Sequence, residues 1–600
     1  MEELKQFAFT LWILLAFTSH LYCQNFTKII LTDENGFSEG GNWIDYDNDN
    51  DLDLFIPNNP RSPALNFLYR NNGDGTFLKI NDGIVVTDIV MTESGTWGDY
   101  DNDGDIDLFV ADGGFDLPRF NSLYRNEGGG VFEEITTEPI SNELGYSTSS
   151  SWGDYDNDGF LDLYCANFTD PGNTQLAARQ FLYHNNGDGT FSKISSVPVV
   201  TTRIASFGMS WGDYDNDNDI DLFVCDFWGD NVLYRNDGNG IFVRMLSNQV
   251  GSIVADGGAS IACSWGDYDN DNDLDLFVSN FGSNNFLYRN NADGSFTRIV
   301  SGPVVTDGGL GEGSGWADYD NDGDLDLFVS NGQDSNPVIN FFYRNDGNGT
   351  FARINPGNVF SDADVTAGIC WGDYDNDGDL DLFVAKFHGD PSTIYRNEGN
   401  SNNWINIKCI GTVSNRSAIG AKVRIKANID GEEIWQMREI SGQTGYNGQN
   451  SLRAAFGLKN ATAIDSVLIE WPSATVDVLT DVAANQFITV LEGSTITAIN
   501  AGFPNNNPQQ FVLHQNYPNP FNPSTTITYQ LSTASKVKLK IHNLMGQEVA
   551  TLVNEKQLAG LHSVKWDGTD NRGRNVTSGL YLYRLETDGF VNVKKLLLVR

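Results

Sequence analysis

Seven tryptophans, Trp43, Trp97, Trp152, Trp211, Trp265, Trp316 and Trp371, recur 51 to 59 residues apart, and each precedes a near-copy of Gly-Asp-Tyr-Asp-Asn-Asp-Gly-Asp-Leu-Asp-Leu-Phe-Val. A unit of that size cannot bury a hydrophobic face alone, so consecutive copies must pack on one another. Downstream of each copy comes a second phrase, seen at Phe67–Phe77 and Phe181–Phe191. The local pattern is β throughout. Ile106–Val110 alternates strand-forming residues, and Asn72-Gly73 and Asp74-Gly75 supply the positive φ of a tight hairpin. Each unit therefore yields four strands: the Trp strand, Leu-Asp-Leu-Phe-Val, Leu-Tyr-Arg-Asn and Thr-Phe-x-x-Ile. Four strands per repeat of about fifty residues predicts a blade of a propeller.

The fourth-strand phrase follows the hairpin in the first six units, at Phe77, Phe132, Phe191, Phe242, Phe296 and Phe351, but is missing after Tyr395-Arg396-Asn397. A further copy stands at Asn25-Phe26-Thr27-Lys28-Ile29. The expectation is that this strand crosses over and completes the seventh blade.

Between the first two strands of every unit lies a nine-residue acidic loop. The loops offer Asp45, Asp47, Asp49, Asp51 and Asp53; Asp99, Asp101, Asp103, Asp105 and Asp107; Asp154, Asp156, Asp158, Phe160 and Asp162; and Asp213, Asp215, Asp217, Asp219 and Asp221. The last three offer Asp267, Asp269, Asp271, Asp273 and Asp275; Asp318, Asp320, Asp322, Asp324 and Asp326; and Asp373, Asp375, Asp377, Asp379 and Asp381. They hold 34 of the 80 acidic residues in a chain of net charge −43. So many carboxylates in so short a span repel one another unless a hard cation lies among them, and calcium, with six to eight oxygen ligands, fits best. Zinc prefers nitrogen or sulfur, and magnesium keeps its waters. The expected ligands are the side chains at positions one, three, five and nine and the backbone carbonyl at position seven, Phe160 included. Gly or Asn at position six permits a left-handed turn. Up to seven structural Ca²⁺ are expected, each pinning the first strand of a blade to the second.

With these motifs in place, residues 24–398 resemble the FG-GAP/VCBS repeats of integrin-α-type propellers, and the resemblance implies calcium at these Asp positions. A different β-rich segment follows from Trp404, with Asn415-Arg416-Ser417-Ala418-Ile419-Gly420, Arg438-Glu439-Ile440-Ser441-Gly442 and Ile469-Glu470-Trp471-Pro472. It resembles, over residues 402–495, the ASPIC/UnbV domain of cartilage acidic protein-like chains. Arg438, Glu439 and Arg416 are expected to serve surface pairing and strand-end capping. Residues 496–511 are a polar linker. Residues 512–600 then carry eleven Lys and Arg against six Asp and Glu, and Asn516-Tyr517-Pro518-Asn519-Pro520-Phe521, Gly579-Leu580-Tyr581 and Lys594-Lys595-Leu596 resemble the type A sorting domain of the type IX secretion system. That resemblance implies a bacterial source and an immunoglobulin-like sandwich that engages the secretion machinery; an ordinary adhesion domain is the other reading of the same strands. The fold class expected is all-β: a seven-bladed propeller, a small β-rich domain and a C-terminal immunoglobulin-like β-sandwich.

Residues 1–23 read as a secretory signal peptide, from Lys5 and the apolar run Phe7–Phe17; a lipoprotein anchor on Cys23 is the rival, opposed by the bulky Tyr22. Cys165, Cys225, Cys263 and Cys370 fall in strands and are expected as buried thiols. The negative balance excludes nucleic acid, whose binding needs basic residues, and an anionic membrane. No phosphate loop or Cys-x-x-Cys is present. The residues thus point to a secreted or cell-surface calcium-binding module holding a glycan or protein on the loops opposite the metal face, where Phe115, Phe168, Phe227-Trp228, Phe281 and Phe387-His388 stand. These rings serve either ligand stacking or the blade cores. The alternative is a carbohydrate-active enzyme, a lyase or hydrolase, on the same scaffold.

Overall fold

The structure is a computed structural model and describes residues 26–599 except 32–36, 60–63, 114–117, 171–172, 333–336, 348, 357–359, 361–362, 388–389, 495–511, 514–520, 522–523, 532–534, 544, 546, 558–559, 573 and 588–589. The expected signal peptide, Cys23, the linker, Phe115 and His388 lie outside the described residues.

Seven four-stranded antiparallel sheets carry the repeats, one of them extended by a fifth strand. The first comprises Gly41–Ile44, Asp53–Ile56, Phe67–Asn71 and Phe77–Ile80. Its register places Trp43 opposite Leu54, Leu54 opposite Tyr69 and Tyr69 opposite Lys79. The inner strands touch in cyclic order: Gly41–Ile44, Thr92–Gly98, Ser147–Gly153, Met209–Gly212, Ser260–Gly266, Gly311–Ala317, Thr366–Gly372, and back to the first. That closed cycle is the ring of a propeller. In the last sheet the outer strand is Phe26–Ile30, which pairs antiparallel with Thr393–Asn397, Phe26 opposite Asn397. The missing phrase after Asn397 is thus supplied from the other end of the repeat region, as the sequence predicts.

The Trp-Gly-Asp-Tyr phrase is the joint between sheets. Tyr100 stacks on Trp152 at 6.0 Å, Tyr268 on Trp316 at 6.1 Å and Tyr374 on Trp43 at 5.5 Å, contacts worth about 0.5–1.5 kcal/mol each beyond their burial. The glycine after Trp is there because the next ring lies against it: a Cβ on Gly372 would stand 2.8 Å from Trp43. The free cysteines Cys165, Cys225, Cys263, Cys370 and Cys409 are all buried.

Beyond the ring, Asn403–Ile410, Arg453–Lys459 and Gln486–Leu491 form one sheet, and Lys422–Ile429, Glu432–Glu439, Ala463–Glu470 and Val476–Ala483 a second. Ile405, Val423, Ile469 and Trp471 of this second domain form one apolar cluster with Tyr100, Phe109 and Trp152 of the propeller. The C-terminal module packs a three-stranded sheet on a four-stranded one around Ile527, Tyr529, Val537, Leu539, Trp566 and Tyr583. Among the described residues no helix is long and apolar enough to cross a membrane.

Candidate metal centres

Each acidic loop folds on itself before any ion is considered. The fourth position is Asn in every loop and takes φ between 55° and 60°, at Asn48, Asn102, Asn157, Asn216, Asn270, Asn321 and Asn376. The sixth is also left-handed, as in Gly104 (φ 101°) and Asn218 (φ 70°). Only Gly and short polar residues visit this region at low cost. The sequence points to the sixth-position turn; the fourth-position turn is a second one.

The resulting geometry separates the five candidate positions. The first-position carboxylate accepts backbone N–H groups from the fifth and sixth residues: Asp99 Oδ1 from Asp103 at 3.0 Å and Oδ2 from Gly104 at 2.8 Å. The ninth accepts from the second-position Tyr and from the hairpin Asn, as Asp107 does from Tyr100 at 3.1 Å and Asn126 at 2.8 Å. The fifth accepts from the seventh-residue N–H, as in Asp103 with Asp105 at 3.0 Å. The third is different. In all seven loops its Oδ1 is buried without a hydrogen-bond partner, at Asp47, Asp101, Asp156, Asp215, Asp269, Asp320 and Asp375. A buried carboxylate oxygen left bare is costly, and the same atom is bare seven times.

Ligand oxygens of positions one, three and nine converge to within 4.8 Å of one another in Asp45/Asp47/Asp53, Asp99/Asp101/Asp107, Asp154/Asp156/Asp162 and Asp213/Asp215/Asp221. These clusters could hold metal ions. Without a cation, burial pushes the carboxyls up, with neighbouring carboxylates adding to it: Asp47 to about 6, Asp53 to about 9 and Asp101 to about 7. The arrangement favours a positive charge at its centre. It fits a hard divalent ion bound through oxygen.

The seventh-position side chains turn instead to the neighbouring loop. Asn48 Nδ2 donates to Asp105 Oδ1, Asn157 to Asp219, Asn216 to Asp273, Asn270 to Asp324, Asn321 to Asp379 and Asn376 to Asp51, all at 2.7–2.9 Å. Only Phe160 breaks the series, and there Asn102 donates to the Gly159 carbonyl at 2.8 Å. A second ring uses the hairpin asparagines. Asn71, Asn126, Asn185, Asn236, Asn290, Asn345 and Asn397 each donate Nδ2 to the second-position Tyr carbonyl of the preceding sheet at 2.7–2.8 Å. Both asparagine sets escape a search for ligands. Their signal is that they never vary among the seven copies.

The second domain sits over the loop face. Lys422 Nζ meets Asp213 Oδ2 at 2.7 Å and Lys408 Nζ meets Asp45 Oδ2 at 3.5 Å; Arg416 lies 3.7 Å from Asp99 and Gly457 N donates to Asp318 at 2.9 Å. Arg453 donates to Asn376 at 2.9 Å and to the Asn50 carbonyl. Arg438 stands beside Asp318 and Asp267, and Glu439 accepts from the Asp213 N–H at 3.2 Å. Burial pushes Glu439 up to about 8, against the pull of Lys422. The expectation that Arg416, Arg438 and Glu439 serve surface pairing is therefore corrected. They are partly buried between two domains, because the loops present them with a dense field of carboxylates.

From the same domain the segment 441–451 enters the ring. Thr96 Oγ1 donates to the Gly442 carbonyl at 2.9 Å, Gln449 exchanges two bonds with the Trp97 backbone, and Trp371 N donates to Asn450 Oδ1 at 2.8 Å. Gly448-Gln449 pairs parallel with Gly41-Asn42. Gly445, at φ +63°, has the Ser314 carbonyl 2.1 Å from where a Cβ would be. Tyr446 reaches the far side, packing with Phe207, Ile261, Ala262 and Ala367, against which Phe168, Phe227 and Phe281 rest. Those three rings are thus tied into an axial cluster, whereas Trp228 beside them is 52% exposed.

The FG-GAP-like repeat family matches residues 45–110, 99–165, 175–224, 213–278, 267–329 and 318–384, together more than half of the chain. The ASPIC and UnbV family matches residues 411–497, and the FlgD Ig-like domain family residues 521–589. Cartilage acidic protein 1 of Mus musculus is 29% identical over 304 residues, 49% of this chain and 46% of that protein. The Homo sapiens protein is 27% identical over 296 residues, 48% and 43% respectively. The chain spans less than half the length of these curated relatives. Among solved structures, BBS1N in complex with ARL6DN aligns with a TM-score of 0.39 at 10% identity, over 62% of this chain and 95% of that one. PorZ of Porphyromonas gingivalis aligns with a TM-score of 0.24 at 12% identity, over 95% and 82%.

Proposed function

The chain belongs to the FG-GAP-like repeat proteins, and from that premise we propose that it is a secreted or cell-surface binding module, clamped by calcium at its acidic loops, that holds a glycan or protein on the face opposite them. Calcium is supported by the seven bare third-position oxygens and by an all-oxygen donor set, which suits a hard ion of flexible coordination. In this reading Asp45, Asp47, Asp49 and Asp53 and their counterparts supply side chains, and the seventh residue its carbonyl. The ion's task is mechanical: it joins the first strand of a blade to the second.

The observation that carries the binding role is the asymmetry of the two faces. The second domain occupies the loop face through Lys408, Arg416, Lys422 and Arg453. The other face keeps Trp228 exposed beside Phe168, at 5.0 Å between rings. An exposed indole flanked by Asp226 and Asp230 suits stacking on a sugar ring or a protein anchor. Residues 512–600 would serve as the type IX sorting signal; the match to an Ig-like domain supports the sandwich, and export of a reporter fused to them tests the address.

The deciding experiment is a glycan-array and surface-protein binding screen of the chain with and without calcium, paired with Trp228→Ala. Calcium-dependent binding weakened by Trp228→Ala is expected. Binding unaffected by that change, or turnover of a bound glycan, overturns the reading.

A further inference from the structure

The third acidic loop departs from the other six in three ways. Its seventh position is Phe160 where the others carry Asp. The hairpin residue before the conserved Asn is His184, where the other six hairpins carry Arg70, Arg125, Arg235, Arg289, Arg344 and Arg396. Its first carboxylate, Asp154, is surrounded by Asp162, Asp158 and Asp156, whereas Asp45, Asp99, Asp213, Asp267, Asp318 and Asp373 each face a Lys or Arg of the second domain.

The substitution of His for Arg changes what the hairpin offers the loop. Four of the arginines turn to an acid two residues on, as Arg125 does to Glu127 and Arg235 to Asp237. The residue two on from His184 is Asn186, which presents no carboxylate. The imidazole instead points into the loop, with Nδ1 3.1 Å from Asp162 Oδ1 and 3.3 Å from Asp156 Oδ2. Donor atoms of Asp156, Asp158 and His184 lie within 4.8 Å of one another, and so do those of Asp154, Asp156 and Asp162. Asp156 belongs to both sets, and its Oδ1 is buried with no hydrogen-bond partner.

We propose that the third loop is a distinct metal centre in which His184 Nδ1 joins the loop carboxylates around Asp156 to hold a nitrogen-seeking divalent ion of the zinc class. This rests on the reading of the loops as metal sites and assigns one of them a different ion. Calcium takes oxygen ligands, whereas imidazole suits zinc and its transition-metal neighbours. A donor set of one imidazole and two or three carboxylates matches the nitrogen-and-oxygen sites that zinc occupies. The loop also lacks the hairpin arginine of the other six, so it offers no fixed positive charge there to oppose the ion. Coordination takes the unprotonated Nδ1 and leaves Nε2–H for solvent, to which the side chain is 27% exposed. The competing arrangement is an imidazolium standing in for the lost arginine as an ion-pair partner, and His184→Arg separates the two. It keeps the cation and removes the nitrogen donor.

The test uses the full chain, saturated with calcium, exposed to ZnCl₂, desalted into calcium buffer and counted for both metals. One retained zinc per chain is expected, with a histidine nitrogen visible in its zinc-edge X-ray absorption spectrum. His184→Arg and His184→Gln should each weaken zinc binding by on the order of 100-fold or more, while calcium at the other six loops is retained. No retained zinc, an all-oxygen zinc shell, or equal retention by both variants overturns the proposal. Wild-type protein that binds calcium but no zinc defeats this inference alone; wild-type protein that binds neither defeats the metal reading of the loops as well.

Discussion

Asn376 of the seventh acidic loop donates its Nδ2 to Asp51 Oδ1 of the first loop at 2.8 Å, so the loop-to-loop clip that runs round the propeller also spans its closure. Asn376 Oδ1 in turn accepts from Arg453 of the second domain at 2.9 Å. Asn376→Ala removes both and leaves Asp51 short of a donor. A loss of roughly 1–3 kcal/mol is expected, read as a lower denaturation midpoint in urea with calcium present. No change in midpoint would mean the clip is incidental.

Metal removal should act on the whole ring. Chelation with EDTA is expected to lower the melting temperature, and calcium to restore it, since an ion bound only by the folded state stabilises by about 4 kcal/mol per site at a thousand times its dissociation constant. Insensitivity to chelation refutes the calcium assignment.

The closing strand is the next point of attack. Phe26 is buried against Phe342, Phe360 and Tyr319, so Phe26→Ala should cost about 3–5 kcal/mol. Deleting residues 24–31 should lower the melting temperature further and expose the edge of Thr393–Asn397. An unchanged melting temperature in the deletion counts against the crossover.

Glu492 gives a pH dependence free of the metal loops. Burial alone would raise its carboxyl, but donors from Ser473, Val413, Thr412 and Ser414 outweigh burial and hold it below the usual value of 4.5. Val413 N and Ser414 N approach its oxygen at 2.7 and 2.8 Å. A carboxyl lowered in the folded state stabilises above its unfolded value, and that contribution is lost as pH falls through the folded one. The stability difference between wild type and Glu492→Gln should therefore be full at neutral pH and shrink below about pH 4.5. A difference independent of pH contradicts the assignment.

The segment in the channel allows no side chain at its tightest point. Gly445→Val places a branched group where the Ser314 carbonyl lies, so the second domain should undock. The expected readout is new protease cleavage within 403–494, with the propeller intact. Protection equal to wild type argues against the docked arrangement.

The repeats made the propeller legible because tryptophan, loop and hairpin each recur as a phrase. The crossover of Phe26–Ile30 was legible for the same reason, as a phrase missing in one place and present in another. What stayed hidden was contact between units. Position seven is expected to give the ion its backbone carbonyl, and nothing local shows that in six loops its carboxylate is taken by an asparagine of the adjacent loop, a partner 54 to 62 residues away in five cases and 325 in the closing one, Asn376 with Asp51. Arg416, Arg438 and Glu439 looked like surface groups because nothing local announces that their strands dock on carboxylates. Tyr446 and Gln449 likewise carry no local sign that their segment enters the ring. His184 was visible, as the odd residue in one column of seven, and needed the loop geometry to acquire meaning.

The pairing of Phe26–Ile30 with Thr393–Asn397 also sets a timetable. The outer strand of the last sheet is made first and must wait, unpaired, until the whole repeat array has been synthesised, a connection of very high sequence separation and so a slow one to form. The segment 441–451 that occupies the axis arrives later still. Either the ring gathers around it or the segment threads a ring already shut, and the two orders differ in rate: only the second is slowed by stabilising the closed propeller beforehand. Refolding followed after calcium is added early or late would tell which order the chain takes.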